Sequence, residues 1–406
     1  MKTFYFSISI LLSSWKLLAQ AGCQDPLATN FNQLATSTNS SCTYANTNAG
    51  LTTRIGNLPS ILNETSALLI TDGKVFTIND SGNAADLFEI DSATGFVKKK
   101  TRISNYSNVD WEDIAADSTN IYIGDFGNNN GTRTDLRILK VKKSSVYNPD
   151  SLNIRAERIR FSYPDQTNFT SSNNHNFDCE SIVFFNGKLH LFSKNRGNKK
   201  TKHYSLDPSL PLQIATLHDS LNVNGLITSA SIRQDGKVLV LLGLDQTGSF
   251  PVFAWLLFGF EGSNFFSGNR RRIELPNAVT TGQAEGIGFA SNYRLWISNE
   301  TVSIVSAGVK QLNIGPYINS YFTNNEELIT DESSVKIWPN PVSEVLKIKK
   351  DGTLNFRLSN SIGKEVFYGN GDNIDVSFLP EGLYHLSFLE EKLKIGNNNF
   401  LILVKH

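Results

Sequence analysis

The chain has 406 residues, and its 38 Lys plus Arg equal its 38 Asp plus Glu, so the formal net charge is zero. That balance argues against a binder of nucleic acid or anionic lipid, whose affinity comes from releasing counterions off a polyanion. The length allows two or three domains, each able to bury its own core.

Residues 1–21 read as a signal peptide. Lys2 supplies a positive start, an apolar run follows over 4–12, and Ala19 and Ala21 are small residues at positions a signal peptidase reads. Lys16 interrupts the apolar stretch, which is too short for a bilayer core of ~30 Å. No transmembrane segment is therefore expected in the mature chain. A lipoprotein reading of Ala21-Gly22-Cys23 is weaker, because Gln20 stands where an aliphatic residue is usual.

Residues 22–46 form a small module rich in Asn, Thr and Ser, flanked by Cys23 and Cys42. With almost no apolar core, it is expected to depend on a disulfide between those two cysteines, which export permits. The segment resembles a short Cys-bracketed repeat common in exported surface proteins, here present once. Cys179 lies in a strand-like context and reads as a buried, inert thiol.

From 47 to 322 the pattern is of short strands with alternating polarity, divided by Gly, Asn and Asp turns. A unit of two strands around a tight turn starts at Ser66, Glu112, Glu180, Ser229 and Glu285. Three of the turns are Asx-Gly pairs, Asp72-Gly73, Asn186-Gly187 and Asp235-Gly236, which favour hairpins. Further strand candidates at 87–90, 96–103, 136–141, 157–163, 253–260 and 272–275 complete three of the units. Four antiparallel strands recurring about every 45 to 70 residues predict an all-β fold, a β-propeller of five blades. Six blades with one degenerate is the alternative, and an antiparallel sandwich the rival architecture. A strand at 51–58 is expected to close the ring on the last blade. The basic runs at 98–100 and 270–272 read as solvated strand edges.

In a propeller, the start of each first strand and the end of each second strand share one face. That face receives Glu64, Asp80, Asp110, Glu112, Asp125, Asp178, Glu180, Lys194, Glu285, Asn299 and Glu300. Asx side chains capping their own loops account for much of 79–83 and 124–129. They do not account for acids opening the inner strands, since Asp and Glu are depleted from strands. Such acids repel one another unless a cation or ligand lies between them. Asp80, Asp110, Glu112, Asp125, Glu180, Glu285 and Asn299 are candidate ligands of a hard cation, calcium above all. Six histidines without ligand spacing give no case for zinc. In kind, the funnel is similar to those of calcium-dependent lactonase, phytase and esterase-like propellers. Glu112, Glu180 and Glu285 are also candidate catalytic carboxylates for glycoside hydrolysis, which needs separations of ~5 to 9 Å. A serine-hydrolase elbow is missing from the sequence. Trp111, Phe126, Phe177 and Trp296 stand beside the acids, and packing between blades is the favoured reading over stacking on sugars.

After a linker at 323–334, residues 335–406 show seven short strands, at 335–342, 345–348, 354–358, 365–368, 374–378, 383–388 and 400–405, and predict a small β-sandwich. Ile337-Trp338-Pro339-Asn340-Pro341, Ser359-Asn360-Ser361-Ile362-Gly363-Lys364-Glu365-Val366 and Leu379-Pro380-Glu381-Gly382-Leu383-Tyr384 follow in order. Together they resemble the type A C-terminal sorting domain of type IX secretion. The resemblance implies export through that machinery and a cargo released or held on the outer surface. The cargo is expected to be a binding or adhesion platform for an extracellular ligand such as carbohydrate, with a calcium-dependent hydrolase as the alternative.

Overall fold

The computed structural model describes residues 20–38, 40–248, 250–302, 305–325, 336–338, 342–349, 355–360, 364–388 and 399–405. The signal-peptide reading falls almost wholly outside them. The chain divides into two compact units, Met1–Phe322 and Thr323–His406.

The first unit is a β-propeller, with five sheets whose innermost strands are neighbours in cyclic order. Those innermost strands are Leu69–Thr71, Trp111–Ala116, Asp178–Phe185, Leu226–Ile232 and Gln283–Ser291. In the first and third sheets the tight turns place two successive residues in the left-handed region. Asp72 and Gly73 have φ of 51° and 72°, and Asn186 and Gly187 have 46° and 74°. That conformation matches the twist of the flanking strands, and Asx-Gly adopts it at little cost. Thr52–Ile55 joins the fifth sheet antiparallel to Gly308–Asn313, so a strand preceding the first sheet closes the ring, as its sequence suggested.

Two short straps escape sequence reading. Asn153–Ile154 runs parallel to Val97–Ile103 at the rim of the first sheet, and Leu212–Ile214 runs parallel to Glu157–Ser162 at the rim of the second. The outer strands of the third sheet, Lys200–Leu206 and Thr216–Asn222, escape it too. The latter is mostly exposed and carries little apolar signal.

Core lies between adjacent sheets. The fourth sheet is covered on both faces, and Val238–Leu244 is buried along its whole length, which explains its unbroken apolar run. Near the axis, polar ties join the inner strands beside that packing. Ser66 Oγ donates to Trp111 O at 3.0 Å and Thr228 Oγ1 to Ala284 O at 2.8 Å. The buried carboxylate of Asp113 accepts N–H bonds from Ile182 at 3.1 Å and Ala230 at 3.4 Å, joining three sheets.

The N-terminal module carries the Cys23–Cys42 disulfide, and the segment that follows it runs along the outer strand of the fourth sheet, where Ala49 N–H donates to Glu274 O at 2.9 Å. One basic run is corrected here. Arg271 is buried instead of lining a solvated edge; it lies 5.0 Å from the Tyr44 ring and donates to Tyr317 O at 2.9 Å. Lys98 and Lys100 do stand exposed, beside Asp91 and Asp86.

The second unit has a three-stranded sheet of Lys336–Trp338, Val345–Lys349 and Asn373–Asp375, and a four-stranded one of Glu365–Asn370, Asn355–Asn360, Gly382–Phe388 and Asn399–Val404. Both contribute to one apolar core containing Leu346, Ile374, Leu358 and Leu386. Residues 339–341 and 361–363 of the tail signatures lie outside the described residues. No described helix is long and apolar enough to cross a membrane.

Candidate functional site

Four of the five inner strands carry a β-bulge at the same level. Register skips one residue between Trp111 and Asp113, Cys179 and Ser181, Ile227 and Ser229, and Ala284 and Gly286. The extra residues are Glu112, Glu180, Thr228 and Glu285. The three glutamates singled out in the sequence therefore occupy one structural position in the second, third and fifth sheets. A bulge re-aims the side chain it carries and is over-represented beside active sites. In the fourth sheet the position belongs to Thr228, one residue before Ser229, where the sequence repeat starts.

On the side of the second sheet, Asp80, Asp110 and Glu112 converge, and one oxygen from each fits within 4.8 Å of the others. Glu112 is only 7% exposed, and among the described residues no donor or cation contacts its carboxylate. Burial pushes it well above the ordinary glutamate range, and Glu180, Asp80 and Asp110 add to the rise. Asp110 is pushed up to about 6 by burial and then by Asp80 and Asp178. Asp80 is raised by burial. Gly127 leaves the space these groups use, since a Cβ there would overlap Glu112 Oε1 and lie 2.5 Å from Asp110 Oδ2.

Asp125 does not join the cluster. Its fully buried carboxylate meets Arg133 at 3.0 Å and Arg137 at 2.7 Å, and accepts the backbone N–H of Asp110 at 3.2 Å. It positions a cluster member. Asn299 likewise holds a loop, with Nδ2 donating to Glu300 O and Ser306 O, both at 2.9 Å.

The third and fifth sheets supply a compensated half. Lys194 donates to Glu180, both buried, and Arg196 lies 3.0 Å from Asp178 and 3.8 Å from Glu180. Burial raises Glu180 well above its ordinary value even though Lys194 opposes it. Glu285 is raised by burial against the pull of Lys194, and takes a hydrogen bond from Gln283 Nε2 at 2.5 Å. Burial, followed by Glu285 and Asp80, lifts Glu300 to about 9.

The aromatic neighbours pack. Trp111 and Phe126 are fully buried, Phe177 lies 4.4 Å from Lys202 Nζ, and Trp296 lies 5.0 Å from Arg54. The thiol of Cys179 is buried and pushed up to about 12 by burial, which leaves it unreactive. The turn end of the channel holds a separate cavity of about 490 Å³, with Ile70, Phe185, Ile232 and Phe289 in its wall. The histidines are less scattered than the sequence implies, because strand pairing brings His190 Nδ1 within 2.9 Å of His203 Nε2.

Residues 336–400 match the secretion system C-terminal sorting domain family. No curated protein matches the chain. Among solved structures, it is similar to glutaminyl cyclase from Myxococcus xanthus, at 11% identity and a TM-score of 0.42, over 66% of this chain and 99% of that one. An α-L-arabinofuranosidase from Podospora anserina in complex with cellotriose is similar at 10% identity and 0.40, over 66% and 96%. A gluconolactonase from Xanthomonas campestris is similar at 13% identity and 0.33, over 61% and 71%. Likenesses this distant do not bear on the chemistry of the acid-lined mouth.

Proposed function

We propose that this chain, a β-propeller sent out through a type IX sorting domain, is a binding platform whose acid-lined mouth holds calcium and takes an extracellular ligand through it. The single observation that carries the reading is the convergence of Asp80, Asp110 and Glu112 within 4.8 Å, with Glu112 buried and, among the described residues, without a donor. Three carboxylates are a hard oxygen set suited to calcium, which takes six to eight oxygens and would keep positions open for water and ligand hydroxyls. A polyhydroxylated ligand such as carbohydrate suits those positions. The test is calcium titration of the mature full-length chain by calorimetry, with thermal melting before and after chelation. Calcium should bind and raise the melting temperature, and Glu112→Gln should weaken both effects. Absence of binding and of any melting shift would end the reading.

A second reading, a hydrolase, is favoured by one observation, the shared bulge position of Glu112, Glu180 and Glu285. Carboxyls whose pKa burial raises are suited to general-acid catalysis. Turnover of aryl glycosides, lactones or phosphate esters, lost in Glu285→Gln, would establish it. For export, removal of residues 336–406 should leave the chain inside the cell envelope, checked by fractionation.

A further inference from the structure

The third sheet contains a hydrogen-bond chain whose protons can be counted. His190 Nε2 lies 3.2 Å from Phe185 O. A carbonyl only accepts, so His190 carries its proton on Nε2. Its Nδ1 then accepts from His203 Nε2 at 2.9 Å. His203 Nδ1 is left facing Asp219 Oδ1 at 3.5 Å. Among the described residues, both of those atoms are buried without a hydrogen-bond partner, and His203 is fully buried. Two neutral rings supply two N–H groups, whereas the chain from Phe185 O to Asp219 has three contacts to fill. With His203 neutral and Asp219 ionised, the two facing atoms present lone pair to lone pair, an arrangement that costs free energy where both atoms are buried.

We propose that His203 takes up a third proton at Nδ1 as the folded protein is acidified, and that the resulting bond to Asp219 is a clasp between the strands Lys200–Leu206 and Thr216–Asn222. The clasp sits at a bulge, where His203 pairs with Asp219 and Tyr204 with Leu217, leaving His218 as the extra residue. The charged and titratable groups facing it are few. His218 stacks on His203 at 4.5 Å, with its Nε2 2.8 Å from Ser205 Oγ, and Lys188 is paired with Asp207 at 2.8 Å. The 3-10 turn Phe265–Ser267 packs Phe265 and Phe266 against His203, at 5.0 Å and 6.0 Å, and Phe192 stacks on it at 5.3 Å. These rings bring no competing charge, and their faces favour a cation. Burial and His203 together hold His190 down to about 3, so the added proton does not go there. Burial lowers His203 as well, with Asp219 opposing, which puts closure below the ordinary histidine range.

The test is histidine-selective ¹⁵N NMR of the full chain from pH 7.5 down to 4.5. His203 should become doubly protonated while His190 keeps a single proton on Nε2. Asp219→Asn should lower the His203 midpoint by about 1 pH unit or more, and Asp219→Glu should restore it. The glutamate variant separates the loss of charge from a fault in folding. A His203 that stays neutral until the protein unfolds, a midpoint indifferent to Asp219→Asn, or a His190 that charges first would overturn the proposal. So would Zn²⁺ binding that disappears in Asp219→Asn, since a metal would then occupy the place given to the proton.

Discussion

Asp125 accepts the backbone N–H of Asp110 at 3.2 Å, so one fully buried carboxylate sets the loop that aims another into the mouth. Asp125 is itself fixed by Arg133 and Arg137, whose side chains are 13% and 12% exposed. Removing one partner of a buried ion pair leaves the other uncompensated, which typically costs about 3 to 5 kcal/mol. Asp125→Ala should therefore lower unfolding free energy by about that amount and weaken calcium binding together with it. Denaturant unfolding beside calorimetry checks both. Asp125→Asn should fall between, because its amide oxygen can still receive the Asp110 N–H.

Gly127 separates the cluster from the fold that carries it. A methyl group there would overlap Glu112 Oε1 and press on the carboxyl of Asp110, without demanding a left-handed backbone. Gly127→Ala should thus reduce calcium affinity at least tenfold, about 1.4 kcal/mol. Thermal stability of the calcium-free protein should change little. Calorimetric titration and melting of the same sample check the pair of outcomes.

Acidity and cation binding should compete. Asp110 is pushed up to about 6, Glu300 to about 9, and Glu112 well above its ordinary range. The folded, calcium-free protein thus binds more protons than the unfolded chain between the ordinary carboxylate range and those values. Stability contributed by the protonated groups is present at low pH and lost as pH rises, through about 6 for Asp110 and about 9 for Glu300. Calcium reverses the sign, because it needs the carboxylates ionised. Apparent affinity should rise from pH 5 to 8 with release of protons. Titrations in buffers of different ionisation enthalpy will show that release.

Some of this was legible in the sequence for a definite reason. Glu112, Glu180 and Glu285 stood out because acids are unfavourable in strands, and the structure gives them one bulge position. The bulge itself shifts register by a residue, which is why Ser229 reads as the repeat's start in sequence while Thr228 holds the equivalent place. Asp125 reads as a ligand in sequence because the arginines that claim it, Arg133 and Arg137, follow in a loop and a later strand. His190 and His203 looked unrelated at 13 residues apart, since only antiparallel pairing brings them together. Arg271 resembles an edge cation, and what covers it comes from far off in the chain, Tyr44 of the N-terminal module and Thr47, 224 residues away.

Closure of the ring depends on a close backbone approach that a side chain would block. A Cβ on Gly286 would lie 2.6 Å from Ala67 C and Leu68 N, where the fifth sheet meets the first. Neither neighbour is the free end of a side chain, so the strands themselves would have to part. Overpacking of this kind typically costs about 1 to 3 kcal/mol. Gly286→Ala should lower the denaturant midpoint accordingly and expose the strand Thr52–Ile55 to proteolysis, because the backbone ladder of that strand runs to the fifth sheet. Gly73 provides the contrast. Its φ of 72° is left-handed, and a Cβ there would meet nothing within 4 Å. Asn tolerates that backbone region, so Gly73→Asn should shift the midpoint far less. Equal effects from the two substitutions would mean that backbone conformation, and not the approach of the fifth sheet to the first, limits closure.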